Sequence, residues 1–120
     1  MRKDMKMRDI INTDIINAGE TVLVVFTRGN YFTYEQDGNG STGNWKINKN
    51  REIDKIIIYK RMTHDHNQIY VGIKSDIIDS KEEGRFVIRM KNIKLVGTTN
   101  HNWKEFKEND SSSPIMYKTK

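Results

Sequence analysis

The sequence predicts one α+β domain in which a small, curved mixed β-sheet or β-barrel of five or six strands is flanked by a short helix near each end. Two observations support this fold class. Short runs of β-branched and aromatic residues recur between turn-forming segments along most of the chain. Apolar residues at helical spacing occur near the N-terminus, and a second helical segment follows the last predicted strand.

The two predicted helices lie near the ends of the chain. Within residues 4–17, Met7, Ile10 and Ile11 are spaced so that they share one helical face. Residues 102–107 form a second and shorter helical segment.

The predicted strands are runs of β-branched and aromatic residues. The run at residues 21–27 is almost entirely apolar or β-branched, which is typical of a strand buried on both faces. The run at residues 68–73 follows a turn and can pair with the run before it. The predicted strands are residues 21–27, 31–35, 55–60, 68–73, 85–90 and 93–97, with a short extended piece at 45–47.

A glycine-rich segment at residues 37–44 is predicted to be a loop, because it holds three glycines within six residues. Residues 38–43 match the pattern G-x-G-x-x-G. That pattern binds a dinucleotide only where a helix follows and meets the phosphates with its N-terminus. Here Trp45-Lys46-Ile47 follows instead, so we interpret the spacing as accidental. Binding of a phosphate by the backbone amides of this loop stays open.

Basic residues are clustered along the chain. The 120 residues include 21 Lys and Arg against 16 Asp and Glu, which gives a net charge of +5. Residues 45–61 hold six basic and two acidic residues, and residues 85–104 hold five basic and no acidic residues. A clustered basic surface attracts phosphates, because neutralising them releases condensed counterions. Nucleic acid or a nucleotide is therefore the predicted partner. The alternative is that these charges only keep a small domain soluble.

The sequence offers little for catalysis or cofactor binding. The absence of cysteine excludes disulfides, thiolate nucleophiles and Cys-type zinc sites. His64-Asp65-His66 falls in a predicted turn without a third ligand nearby, so we expect no metal site. No pattern of a serine nucleophile is present. We expect a protein that uses no cofactor and that binds a ligand rather than catalysing a reaction. An enzyme that acts on nucleic acid or nucleotide phosphate is the lesser alternative.

Residues 1–108 are expected to form the folded domain, and residues 109–120, with three serines and a proline, a flexible tail. No apolar run approaches the roughly 20 residues that a membrane-spanning helix needs. The N-terminus shows no apolar segment typical of a secretory signal. We therefore expect no membrane partner and a cytoplasmic location. A homo-oligomer and a protein partner both stay open.

Aromatic residues beside basic or amide residues are the candidate ligand-binding residues. Aromatic rings stack on nucleobases, while Arg, Lys and amide groups reach phosphates and base edges. The hydrophobic core is the alternative place for each ring. The candidates are Asn44, Trp45, Lys46, Tyr59, Lys60, Arg61, Arg85, Asn102 and Trp103.

Three segments, residues 43–47, 53–59 and 69–73, resemble the middle of PUA-like domains, in particular their EVE, ASCH and YTH branch. In that superfamily an Asp begins an apolar strand that ends in an aromatic residue, and a later strand carries a glycine. Ile53 stands where the EVE pattern usually has a Gly, and the N-terminal tryptophan segment of that pattern is not recognisable at residues 20–35.

The PUA-like resemblance implies a barrel-like fold with an aromatic pocket that receives a flipped, often modified, base. Under this resemblance Trp45 would be a stacking wall and Asn44 would read a base edge. Tyr59 would line the pocket, and Lys60 and Arg61 would contact phosphate.

The predicted function is therefore that of a non-enzymatic nucleic-acid or modified-base binding domain with an aromatic pocket and a basic face. The alternative is a small immunity-related protein of a phage or bacterium that sequesters a nucleotide signal or inhibits a nuclease or another defence protein. The abundance of Ile, Lys and Asn, which is typical of AT-rich genomes, is associated with such sources. A purely structural role is the remaining alternative.

Overall fold

The computed structural model describes residues 4–63, 66–108 and 113–120, in which a single mixed sheet carries two short helices. The elements in chain order are α1 (Met7–Ile11), β1 (Thr21–Thr27), β2 (Phe32–Tyr34), β3 (Gly40–Trp45), β4 (Lys55–Arg61), β5 (Asn67–Asp79), β6 (Phe86–Thr99), α2 (Trp103–Lys107) and β7 (Ile115–Thr119). The structure confirms a β-sheet domain with a short helix near each end, as the predicted α+β class requires. Most of its regular secondary structure is strand.

The described residues form seven strands, so the predicted count of five or six is too low: residues 40–45 and 115–119 add two strands, while residues 86–99 form a single one. The strands lie in the order β2-β3-β6-β5-β4-β1-β7. β1 and β4 pair in parallel, and the other neighbours pair antiparallel. Within the described residues β2 and β7 form the two edges and do not pair with each other. The sheet is therefore open, and the predicted barrel alternative is wrong. A barrel requires its edge strands to meet.

β1 is buried on both faces, as its apolar sequence predicts. Side chains of a strand alternate between the two faces of the sheet. Val22, Val24 and Phe26 enter one core, and Leu23 and Val25 enter the other. All five are at most 3% exposed.

The helix-side core lies between the sheet and both helices. It contains Met7 and Ile10 of α1 and Phe106 of α2, packed against one face of β1, β4 and β5. Phe106 and Ile10 are fully buried. The helices are therefore held by their apolar side chains, since five-residue helices have little stability of their own.

The strand-side core lies against the opposite face of the sheet. It joins Leu23 of β1 with Phe32 of β2 and Trp45 of β3. The ring of Phe32 on β2 lies 5.1 Å from that of Tyr70 on β5, although β3 and β6 separate these two strands in the sheet order. These rings can meet only because the sheet curves. The predicted curvature is thus present without closure.

β3 and β6 differ most from the strands that the sequence predicts. Residues 40–45, predicted as part of a loop, form β3 between β2 and β6. Residues 85–90 and 93–97, predicted as two strands, belong to one 14-residue strand, β6. Asn92 takes a left-handed conformation with φ 52°, which asparagine tolerates better than most residues, and the strand continues past it.

The C-terminal segment also differs from the prediction of a flexible tail. Ile115–Thr119 form β7, which pairs antiparallel with β1. The Nζ of Lys120 donates to the carbonyl oxygens of Thr13 and Ile16, at 2.8 and 2.7 Å. The sheet and the N-terminal segment therefore hold residues 113–120, while residues 109–112 lie outside the described part of the chain.

Candidate functional site

A cavity of about 780 Å³ opens where β1 and β4 end. These two strands run in parallel with Thr27 opposite Lys60, so their C-terminal ends lie at the same edge of the sheet. The connection from β1 to β2 and the start of α2 supply further lining residues. With Trp45 of β3 and Pro114, the chain thus brings five separate segments to one concave surface.

One group of aromatic rings in the lining comes from β1, β4 and α2. The ring of Phe26 lies 5.5 Å from that of Tyr59 and 5.6 Å from that of Trp103, edge to face with Trp103. Phe26 and Tyr59 are buried, whereas Trp103 is half-buried. Their position follows from the helix-side core, because Phe106 anchors α2 against both Phe26 and Tyr59.

A second aromatic pair in the lining is formed by Tyr31 and Trp45, whose rings meet edge to face at 5.5 Å. Trp45 is only 6% exposed, and its indole N–H donates to Thr42 Oγ1 at 2.9 Å. Thr42 in turn donates to the carbonyl oxygen of Tyr31 at 2.6 Å. Tyr31 is 42% exposed. In this pair Tyr31 therefore offers more free ring surface than Trp45.

Tyr59 ties the strand end to the segment before α2. Its phenol donates to the carbonyl oxygen of His101 at 2.7 Å. Burial raises the pKa of Tyr59 to about 12, although the nearby charge of Arg61 opposes this rise. The phenol is therefore a neutral donor at physiological pH. The buried Asn67 amide adds longer bonds of 3.4 Å to the carbonyl oxygens of Thr99 and His101.

Asn102 lines the cavity and also begins α2. Its side-chain oxygen accepts the N–H of Glu105 at 2.9 Å, while the Glu105 carboxylate accepts the N–H of Asn102 at 3.2 Å. This reciprocal pattern is a capping box, which satisfies free amides at the start of a helix. The cap fixes the orientation of α2, so it also fixes Trp103 and Lys104 at the cavity.

The cavity carries positive charge at its exposed positions. Arg28, Arg61 and Lys104 line it and are exposed, and no Asp or Glu is among the lining residues that the structure describes. None of the three forms an ion pair with another residue in the described ranges. Lys107 lies close by, with its Nζ 5.1 Å from the ring centroid of Trp103 and 5.2 Å from that of Phe26. This arrangement favours an anionic ligand with an apolar part.

Five of the nine candidate residues meet at this cavity, namely Trp45, Tyr59, Arg61, Asn102 and Trp103. The other four lie elsewhere. Of these, Lys46 is exposed outside the lining. Lys60 lies over Gly29, where a Cβ added to that glycine would come within 3.1 Å of its Cε.

Asn44 and Arg85 form a structural cluster outside the cavity lining. The Arg85 guanidinium donates to the carbonyl oxygen of Asn44 at 3.0 Å, and Ser80 donates to the side-chain oxygen of Asn44 at 2.5 Å. Arg85 also pairs with Glu82 at 3.3 Å. These contacts hold the β5–β6 turn against the end of β3, so the role in reading a base edge that the resemblance implies for Asn44 has no place in this cavity.

Seven lining residues were not among the candidates: Phe26, Thr27, Arg28, Asn30, Tyr31, Lys104 and Pro114. Of these, Arg28, Asn30 and Tyr31 follow β1 in a segment that the sequence predicts as a turn and the start of a strand. The available signal was that Arg28 and Arg61 each come two residues after an aromatic residue of an apolar run. Only the parallel pairing of β1 with β4 makes that signal meaningful.

The glycine-rich segment does not offer its amides to a phosphate. The N–H of Gly38 donates to Glu35 O at 3.0 Å, and that of Gly43 donates to Tyr31 O at 3.2 Å. The N–H of Ser41 donates to Thr33 Oγ1 at 3.1 Å. These groups are used within the sheet and its turn, so the earlier possibility of an amide cradle is not supported.

The described residues contain no group of three or more His, Asp or Glu side chains placed to hold a metal ion. His64 and Asp65 of the His64-Asp65-His66 motif lie outside those residues. Neither of the two helices in the described ranges has the length and apolar character to cross a membrane. Comparison with family models, curated proteins and solved structures finds no match for this chain.

Proposed function

We propose that this protein is a non-enzymatic nucleic-acid or modified-base binding domain that takes a single base into the cavity at the end of β1 and β4. The observation that carries the proposal is one concave surface that combines aromatic rings with three exposed cations and, within the described part of the chain, no carboxylate. Aromatic faces stack on any base, and the cations attract the phosphates that accompany it.

The size of the cavity supports a ligand of nucleotide dimensions. Sites for small molecules typically measure about 300–1,000 Å³, and this cavity measures about 780 Å³. Its lining also holds the amides of Asn30 and Asn102, which are groups that read base edges. The cavity opens at the sheet edge beside exposed cations, which suits a base extruded from a strand whose backbone stays outside.

Tyr31 and Trp103 are the proposed stacking residues. Both keep part of their ring surface accessible, whereas Trp45 is almost fully buried and its N–H is already used. This assignment moves the stacking role away from the residue that the PUA-like resemblance favours. That resemblance contributes the expectation of a flipped, modified base, and it agrees with Tyr59 as a lining residue.

Tryptophan fluorescence tests the proposal, because Trp45 and Trp103, the two tryptophans of the chain, both line the cavity. Short single-stranded DNA, single-stranded RNA and a panel of mononucleotides, including modified bases, would be titrated at low and high salt. We expect quenching by single strands that weakens steeply with salt, because binding releases counterions.

The matched variants are Tyr31→Ala and Tyr34→Ala. Both tyrosines are exposed, at 42% and 46%, but only Tyr31 lines the cavity. Loss of one stacking ring should weaken binding about tenfold or more in Tyr31→Ala, and Tyr34→Ala should bind as the unmodified protein does. Equal effects in both variants, or no quenching by any ligand, would show that the proposal is wrong. Tight, salt-insensitive binding of one free nucleotide alone would favour a sequestered nucleotide signal instead.

A further inference from the structure

We infer that Arg28 and Arg61 act together as a clamp for one phosphate, so that the cavity selects a phosphorylated nucleoside over the nucleoside itself. The inference rests on the proposed function and names the ligand group that each part of the cavity would hold. Arg28 belongs to none of the segments that the sequence patterns single out for binding.

The backbone places the two arginines side by side. β1 and β4 are parallel neighbours, with Phe26 opposite Tyr59 and Thr27 opposite Lys60. The next residue of each segment is an arginine: Arg28 directly follows the end of β1, and Arg61 is the last residue of β4. Neighbouring strands lie about 4.8 Å apart.

At the end of each strand, an aromatic residue is followed two positions later by an arginine. Side chains two residues apart point to the same face of a strand, so Arg61, the last residue of β4, lies on the face of Tyr59. Arg28 follows the end of β1 and lines the same cavity as Phe26. All four residues line the cavity. The aromatic pair is buried and the arginines are exposed. The result is an apolar floor with two guanidinium groups at its outer edge.

The electrostatics of the pair favour an anion between them. Like charges repel, and within the described part of the chain neither arginine has a carboxylate partner. Lys104 adds a third cation to the lining from α2. Arg61 also lies close enough to the Tyr59 phenol for its charge to oppose the rise in that pKa to about 12 that burial causes. Guanidinium groups donate paired hydrogen bonds to phosphate oxygens, so one phosphate would accept hydrogen bonds from both arginines.

The aromatic lining of the cavity determines which phosphorylated ligand fits. Inorganic phosphate would meet the arginines but leave the accessible ring surfaces of Tyr31 and Trp103 in water. A nucleotide covers those rings with its base while its phosphate stays between the arginines. The same chemistry comes from a free nucleoside monophosphate or from one unit of a single strand, and the experiment separates these two sources.

The experiment compares a nucleoside, its 5′-monophosphate and inorganic phosphate for each common base, with tryptophan fluorescence at low salt as the readout. A five-nucleotide single strand of the same base is the fourth ligand. We expect the monophosphate to bind at least tenfold more tightly than the nucleoside, and inorganic phosphate to compete only weakly. Tighter binding of the strand would indicate a polymer as the source, and tighter binding of the monophosphate would indicate a free nucleotide. Both results would support a phosphate clamp formed by Arg28 and Arg61.

Three substitutions identify the clamp. Arg28→Gln and Arg61→Gln should each lower the affinity for the monophosphate towards that for the nucleoside, about tenfold, and leave nucleoside binding unchanged. Arg61→Lys keeps the charge but not the bidentate geometry, so it should recover part of the affinity. The matched control is Lys91→Gln, which removes one charge from an exposed position on β6 outside the cavity lining and should have little effect. Thermal unfolding would verify that each variant is folded.

The outcomes separate the two proposals. Equal affinity for the nucleoside and its monophosphate would overturn the clamp and leave base binding intact. Equal losses in Arg28→Gln and Lys91→Gln would also overturn it, because the effect would then be one of net charge. Inorganic phosphate that binds as tightly as the monophosphate would overturn selection of a nucleotide. Binding of neither nucleoside, monophosphate nor single strand would refute both the clamp and the proposed function.

Discussion

Replacing Tyr59 by Phe should destabilise the protein through a single hydrogen bond. The phenol of Tyr59 donates to the carbonyl oxygen of His101 at 2.7 Å and so links β4 to the segment that begins α2. Phe keeps the ring in place against Phe26 and Phe106. The His101 carbonyl would retain only the longer 3.4 Å bond from Asn67. A buried bond lost in this way costs about 1–2 kcal/mol.

Equilibrium unfolding in urea at neutral pH measures this cost. The control is Tyr31→Phe, because the exposed Tyr31 hydroxyl forms no hydrogen bond with another residue in the described ranges. We expect a loss of about 1–2 kcal/mol for Tyr59→Phe and less than about 0.5 kcal/mol for the control. An unfolding free energy of Tyr59→Phe equal to that of the control would refute the assignment of this bond.

The pH dependence of the same pair gives an independent readout. Burial raises the pKa of Tyr59 from its ordinary value of 10.0 to about 12. The neutral phenol therefore contributes stability that is fully present below pH 10 and is lost as the pH rises towards 12. Tyr59→Phe lacks this term, so the stability difference between the two proteins should shrink above pH 10. A difference that stays constant from pH 7 to pH 11 would contradict the raised pKa.

Two further predictions concern the strands that the sequence does not reveal. Gly40→Ala should cost about 3 kcal/mol or prevent folding, because the new Cβ would overlap the Thr33 carbonyl oxygen and lie 2.8 Å from Cδ1 of Ile93. Gly84→Ala, at φ 78° in open space, should cost only about 1 kcal/mol in the same urea titration. Deleting residues 114–120 removes β7 from the edge of β1, so circular dichroism should show loss of cooperative thermal unfolding; unchanged unfolding would show that β7 contributes little.

The central strands could be predicted because composition alone determines them. β1 and β4 are runs of β-branched and apolar residues, and such runs are stable only where both faces are buried. β3 could not be predicted, because Gly40, Ser41 and Gly43 have low strand propensity. Its strand conformation comes from hydrogen bonds to β2 and β6, which are contacts between residues distant in sequence.

The candidate site was predicted in part for a similar reason. Trp103 and Tyr59 stand out in the sequence as aromatic residues with basic or amide neighbours. Asn44 and Arg85 stand out equally, yet they bond to each other at a different place. Arg28 looks like an ordinary turn residue. Neighbours in sequence cannot distinguish these residues, because the cavity is built from five segments that only folding brings together.

The α+β class, the burial of β1 and the net charge of +5 follow from the amino-acid sequence. These properties depend on composition and local pattern. The open sheet, the addition of residues 115–119 as β7 and the presence of Arg28 and Arg61 in one cavity lining follow only from the folded chain. Each of these features depends on which strands pair and in which direction. That pairing is determined by the burial of apolar side chains on both faces of the sheet.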